Sequence, residues 1–198
     1  MQRPLPKKKT TLLIGAALAI IVAVVATFVA LLYRPYTAAS ANLRLDDPEN
    51  DVISNEETEF SGMIDVVHAE LEVSEETLNI TISVKSPVSD FVEGEFAQWN
   101  TTIILDEGTT AYEVCAVKNS TQSAGYVVDM MNWTSKLCQA EFHANSLTLL
   151  VPIDELQSAK EVQWFIVTSF EKYSGDELTI TATDIAPDEG LQTSTLKE

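Results

Sequence analysis

Leu12 through Tyr33 is a run of 22 residues without one charged side chain, and no other feature narrows so sharply what this chain can become. A helix over that run, at about 1.5 Å per residue, reaches roughly 33 Å, enough to cross a hydrocarbon core of about 30 Å. Only Gly15 weakens its helical character, and small residues are tolerated in lipid. Arg3, Lys7, Lys8 and Lys9 precede the run, whereas Arg34 alone follows it closely, ahead of Asp46 and Asp47. Basic residues concentrate on the cytoplasmic side of a membrane. The expectation is therefore a cytoplasmic tail over 1–11, a transmembrane helix over 12–33, and everything beyond it outside the cell. Ala39-Ser40-Ala41 has the small-residue pattern of a cleaved leader. The apolar run, however, exceeds the roughly 7–15 residues of a signal-peptide core, and Arg34-Pro35 intervenes. A pilin-like leader is the third reading, but no Gly or Ala stands before the run and no Glu stands early in it.

Beyond Arg34 lie 164 residues, an ordinary length for one domain with a sizeable core. All 30 acidic residues fall there, against seven of the 12 basic ones, so this part carries a formal charge near −23. Such a field repels nucleic acid and anionic lipid, which makes both poor partners. Cys115 and Cys138 are the two cysteines, and in an oxidising compartment a pair is most simply a disulfide. Four Asn-x-Ser/Thr sequons begin at Asn79, Asn100, Asn119 and Asn132, among only eight asparagines, so they are expected surface positions for glycosylation.

Residues 34–58 are polar and acidic and carry Asp46-Asp47-Pro48-Glu49-Asn50-Asp51, which reads as a stalk. After it the chain alternates. Leu78, Ile80, Ile82 and Val84 fall on one face and Asn79, Thr81, Ser83 and Lys85 on the other, the period of a half-buried strand. Trp99, Thr101, Ile103 and Leu105 repeat it. Further strands are expected over Met63–Val73, Ala111–Lys118, Gly125–Met131, Ser146–Val151, Val162–Phe170 and Leu178–Thr183, with one helical turn over Ile153–Leu156 after Pro152. The fold class that follows is all-β: an antiparallel β-sandwich of about eight or nine strands over 59–190, with 191–198 a tail.

The stretch Asp65–Leu71 leads into Leu78–Val84. Next come Trp99, Ile103–Gly108 and Tyr112–Val114, and the chain closes on Trp164–Val167 and Asp184-Ile185-Ala186-Pro187-Asp188. In order and spacing this resembles the extracellular sandwiches grouped with family-nine carbohydrate-binding modules and DOMON-type domains of prokaryotic surface proteins. The likeness covers about residues 60–190. It implies a β-sandwich on a membrane anchor, and structural calcium, since related modules often carry it.

The chemistry-bearing residues are few. No Gly-x-Ser-x-Gly elbow, Gly-rich phosphate loop or paired-Cys zinc spacing occurs. Asp106, Glu107, Asp184 and Asp188 fall in two turns whose oxygens could hold Ca²⁺. Trp133, inside a sequon, offers an indole platform for a sugar, with Tyr126 beside it. A cupredoxin-type copper site would draw on His68, Cys138 and His143, and a haem site on His68 with a methionine. The function expected is a membrane-anchored extracellular binding or structural module, not an enzyme, whose partner is a glycan or an envelope protein. An envelope redox or metal protein, and an accessory subunit or filament component of an envelope complex, are the alternatives.

Overall fold

The computed structural model describes residues 36–37, 43–56, 58–73, 78–152, 161–188 and 190–195. The chain divides after Arg34 into two units, and all of these residues belong to the second. The helix expected over Leu12–Tyr33 and the helical turn expected over Ile153–Leu156 lie outside the described residues. Among those described, no helix is long and apolar enough to cross a membrane.

The domain is all-β and almost wholly antiparallel. Its strands are β1 (Tyr36–Thr37), β2 (Arg44–Asp46), β3 (Ile53–Ser54), β4 (Val66–Val73), β5 (Leu78–Val84), β6 (Glu95–Leu105) and β7 (Thr110–Asn119). After them come β8 (Ser123–Asp129), β9 (Thr134–Phe142), β10 (Ser146–Val151), β11 (Glu161–Ser174), β12 (Glu177–Ala186) and β13 (Gln192–Thr195). The alternation read from the sequence is the reason β5 and β10 form: Leu78, Ile80, Ile82, Val84 and Leu147, Leu149, Val151 are all buried, while their neighbours are half-exposed.

Eleven strands follow one hydrogen-bonded path, β1-β13-β11-β6-β7-β8-β9-β10-β5-β4-β2, with β12 beside β11 and β3 beside β12. Only β1 with β13 is parallel. β9 is where the sheet curls. Its residues Thr134–Cys138 pair with β8, and Gln139–Phe142 pair with β10. The two arms so joined enclose one core, in which Trp99, Ile103, Val114, Trp164 and Ile166 meet Leu71, Ile80, Ile82, Leu147 and Leu149. Each such side chain contributes about 1.5–3 kcal/mol on burial. The all-β, antiparallel class expected is found, but the count is not eight or nine: the described residues form thirteen strands in a curled sheet. β1, β2, β3, β9 and β13 carry too little apolar alternation to announce themselves.

The start of β4 differs from expectation as well. Ser61–Ile64 is a helical turn, not strand. Its Met63 carbonyl accepts the Trp99 indole N–H at 3.2 Å, and its Ile64 carbonyl accepts the Thr168 hydroxyl at 2.5 Å. Phe60, just before it, stacks on Phe170 at 4.5 Å. These contacts pin the turn to β6 and β11, and so fix Asp65, which follows it.

Three expectations are corrected here. Residues 43–56 are no free stalk: β2 pairs with β4, β3 pairs with β12, and Leu45 and Asp47 are buried. The expected tail supplies Leu191 to the buried set and β13 to the edge of β11. Cys115 and Cys138 are free thiols. The register shows why they do not bond. Ala116 pairs with Gly125, and Gly125 with Cys138, so Cys138 shares the inward face of Ala116 while Cys115 points outward. They stand two strands apart, about 9.6 Å, on opposite faces, beyond the reach of a disulfide. Cys138 instead fills the space above Gly125, where an added Cβ would lie 2.7 Å from its Sγ.

Candidate metal centre

Five aspartates converge around the buried Asp184 of β12. Asp47 and Asp51 come from the segment between β2 and β3, Asp65 from the junction between the helical turn and β4, Asp184 from β12, and Asp188 from the bend after it. Two triads form, Asp47–Asp51–Asp188 and Asp51–Asp65–Asp184, each with one carboxylate oxygen per residue and all three oxygens within 4.8 Å of one another. Asp65 is 2 % exposed, Asp184 3 % and Asp47 9 %.

Backbone donors hold the carboxylates in place without satisfying them. Asp184 accepts the Val66 N–H at 2.8 Å and the Ile185 N–H at 2.9 Å. Asp65 Oδ2 accepts the Asn50 N–H at 2.9 Å, and Asp47 Oδ1 accepts the Asp188 N–H at 3.2 Å. Asn50 has φ +72, a left-handed conformation that Asn tolerates, and it turns the segment back toward Asp65. Buried oxygens remain without a partner: Asp47 Oδ2, Asp65 Oδ1 and both oxygens of Asp51. Among the described residues one cation is near, Lys85, whose Nζ lies 3.7 Å from Asp65 Oδ2.

Carboxylates so placed resist ionisation. Burial, then Asp184, Asp51 and Asp188, push Asp47 up to about 8. Burial, then Asp51 and Asp65, push Asp184 up to about 7, against the pull of the Val66 and Ile185 N–H groups. Asp51 is raised too, chiefly by burial. Such a cluster wants protons or a hard cation.

The sequence-expected ligands divide. Asp184 and Asp188 are in the centre. Asp106 is not: its carboxylate accepts the Glu161 N–H at 3.2 Å, at the start of β11. Asp184 pairs with Thr168, seven residues along that strand or roughly 24 Å away. Glu107 shares the turn Asp106–Gly108 and so lies at that far end. Asp47, Asp51 and Asp65 were missed because they sit in what reads as a polar stalk and a strand. Asp65 did carry a signal, as the one carboxylate within Met63-Ile64-Asp65-Val66-Val67. So did Asp184, at the inward register between Ala182 and Ala186.

The other sites fare differently. His68, Cys138 and His143 are not brought together: β5 and β10 lie between β4 and β9, and His68 instead bonds Asp46 at 2.6 Å. Burial pushes the Cys138 thiol to about 11 and the Cys115 thiol higher, so neither is a ready thiolate. Trp133 is 70 % exposed in the β8–β9 turn, with Met131 and Leu137 also exposed. Tyr126 is half-buried on β8, its hydroxyl accepting Gln122 Nε2–H at 2.7 Å. A cavity of about 60 Å³ between β7, β8 and β9 is lined by Tyr112, Val127 and Leu137 among others, and by neither Trp133 nor Tyr126. Among the sequons, Asn132 is exposed, with its Nδ2 donating to Asp129 at 2.7 Å, whereas Asn79 and Asn119 are half-buried. Asn100 is buried between β7 and β11, so it is not the surface position expected of it.

No protein-family model matches the chain, and no curated protein is significantly similar to it.

Proposed function

We propose that this chain is a non-enzymatic binding or structural module, held outside the cell by a Leu12–Tyr33 helix, whose β domain is completed by Ca²⁺ at the aspartate centre. One observation carries the reading: carboxylates from three separate stretches of chain meet with four buried oxygens unpartnered. Burying uncompensated charge is costly, and a cation removes that cost. The donors are all carboxylate oxygens, a hard set that suits Ca²⁺ rather than copper or zinc. The curled sheet supports the sandwich architecture that the resemblance to family-nine modules and DOMON-type domains implies. The partner is a glycan or an envelope protein, and the exposed Met131, Trp133 and Leu137 on the β8–β9 hairpin support that contact. Those three apolar side chains also favour a second reading, an accessory subunit of an envelope complex.

Calorimetric titration of the chelator-stripped full chain in detergent tests the cation. Heat of binding is the expected result, and a flat titration overturns it. Carbonate extraction and surface proteolysis of intact cells test the anchor: release from the membrane overturns it. Glycan arrays and pull-downs test the module, which a measured turnover without any captured ligand would overturn.

A further inference from the structure

The centre has two triads rather than one, and they share a single residue. Asp47 and Asp188 belong to one, Asp65 and Asp184 to the other, and Asp51 to both. Each triad contains its own deeply buried, unpartnered oxygen: Asp47 Oδ2 in the first and Asp65 Oδ1 in the second. Asp51 has both oxygens buried and unpartnered, so one is free to serve each side. Oxygens bound to one Ca²⁺ at 2.3–2.6 Å lie at most about 5 Å apart, which the 4.8 Å limit within each triad satisfies.

Charge gives the same count. Five carboxylates and the Lys85 ammonium beside Asp65 leave four negative charges to neutralise. With all five ionised, one divalent ion leaves two negative charges unneutralised and two divalent ions leave none. We propose that the centre is binuclear, holding two Ca²⁺ ions bridged by the Asp51 carboxylate. This rests on the reading that the centre binds Ca²⁺ at all. Backbone carbonyls and water complete each coordination shell, since Ca²⁺ takes six to eight oxygens and each triad supplies three residues. Lys85 lies at the second triad, so the first has the more negative field and fills first.

The test is the stoichiometry of the full chain in detergent, stripped with chelator and titrated with CaCl₂ in about 0.1 M KCl to screen loosely held surface ions. Two ions per chain are expected, in two steps. Asp188→Asn, at an exposed position, should reduce the count to one. Asp51→Asn should weaken both ions at least tenfold, because it removes the bridge. Native mass spectrometry of the unaltered chain counts the ions without relying on any variant that might not fold. A count of one overturns the binuclear proposal and leaves the Ca²⁺ reading standing. No binding overturns both. An Asp51→Asn protein that loses one ion and keeps the other at unchanged affinity overturns the bridge.

Discussion

Asp47 shows how a single residue can hold stability in reserve. Its carboxyl sits at about 8 in the folded chain against 3.8 without the fold, because burial and three neighbouring carboxylates oppose its charge. In the metal-free protein the neutral isostere Asp47→Asn should therefore raise stability at pH 8 by at least about 1 kcal/mol. The gain should vanish near pH 3, where Asp47 is protonated in the folded chain and mostly so in the unfolded one. Urea melts of both proteins with chelator at the two pH values check this; an equal difference at both would point to packing instead. Gly125 is the other instructive residue. An alanine Cβ there would lie 2.7 Å from Cys138 Sγ and 2.9 Å from the Cys138 carbonyl oxygen. The carbonyl belongs to the paired strand and cannot swing aside, so Gly125→Ala should cost about 1–3 kcal/mol. Restored stability in Gly125→Ala/Cys138→Ala would assign the clash to the thiol rather than the backbone.

At the scale of elements, the proposed Ca²⁺ bears most on the segment carrying β2 and β3. Its ladders are short, three residues with β4 and two with β12. Asp47 and Asp51 attach it to Asp65, Asp184 and Asp188, alongside the buried Leu45. Emptying the centre leaves those carboxylates repelling one another, and releasing this segment is the structurally cheapest relief. Amide hydrogen exchange over residues 43–56 should quicken at least tenfold when Ca²⁺ is replaced by chelator, while β5, β6 and β11 keep their protection. Uniform acceleration across the domain would show global unfolding instead. The segment was legible only as polar and acidic, which reads as a stalk; the left-handed turn at Asn50 was not. Its docking was not legible, since two- and three-residue strands have no period to read. β9 escaped notice for a related reason: it is the strand over which the sheet curls, and it is exposed along most of its length.

For the whole molecule, the raised carboxyls set the direction of its pH response. Between about pH 4 and 8 the metal-free fold holds protons on Asp47 and Asp184 that the unfolded chain has released. Stability from this source is therefore greatest at the acid end and is lost as pH rises through about 7 and 8. On the proposed reading Ca²⁺ takes the place of those protons, so its stabilising effect should grow over the same interval. At a free concentration of about 100 times Kd, one site contributes about 2.7 kcal/mol, or roughly 5–10 °C in Tm for a domain of this size. Thermal melts at pH 5 and pH 8, each with Ca²⁺ and with chelator, measure this. A calcium increment that is larger at pH 5 would contradict the assignment of the centre.

The sequence by itself determined the class and much of the core, because a period of two in Leu78–Val84, Trp99–Leu105 and Ser146–Val151 is a property of neighbours along the chain. It likewise placed Asp184 and Asp188 among acidic residues worth testing. Only the tertiary structure decided which other carboxylates join them. Asp47, Asp51 and Asp65 approach Asp184 because β2 pairs with β4, β3 with β12, and the turn before Asp65 is pinned by Trp99 and Thr168. Convergence across more than a hundred residues depends on strand pairing, and no local spacing encodes it. The cysteines teach the same lesson in reverse: 23 residues apart and alike in type, they are parted by the facing of their strands.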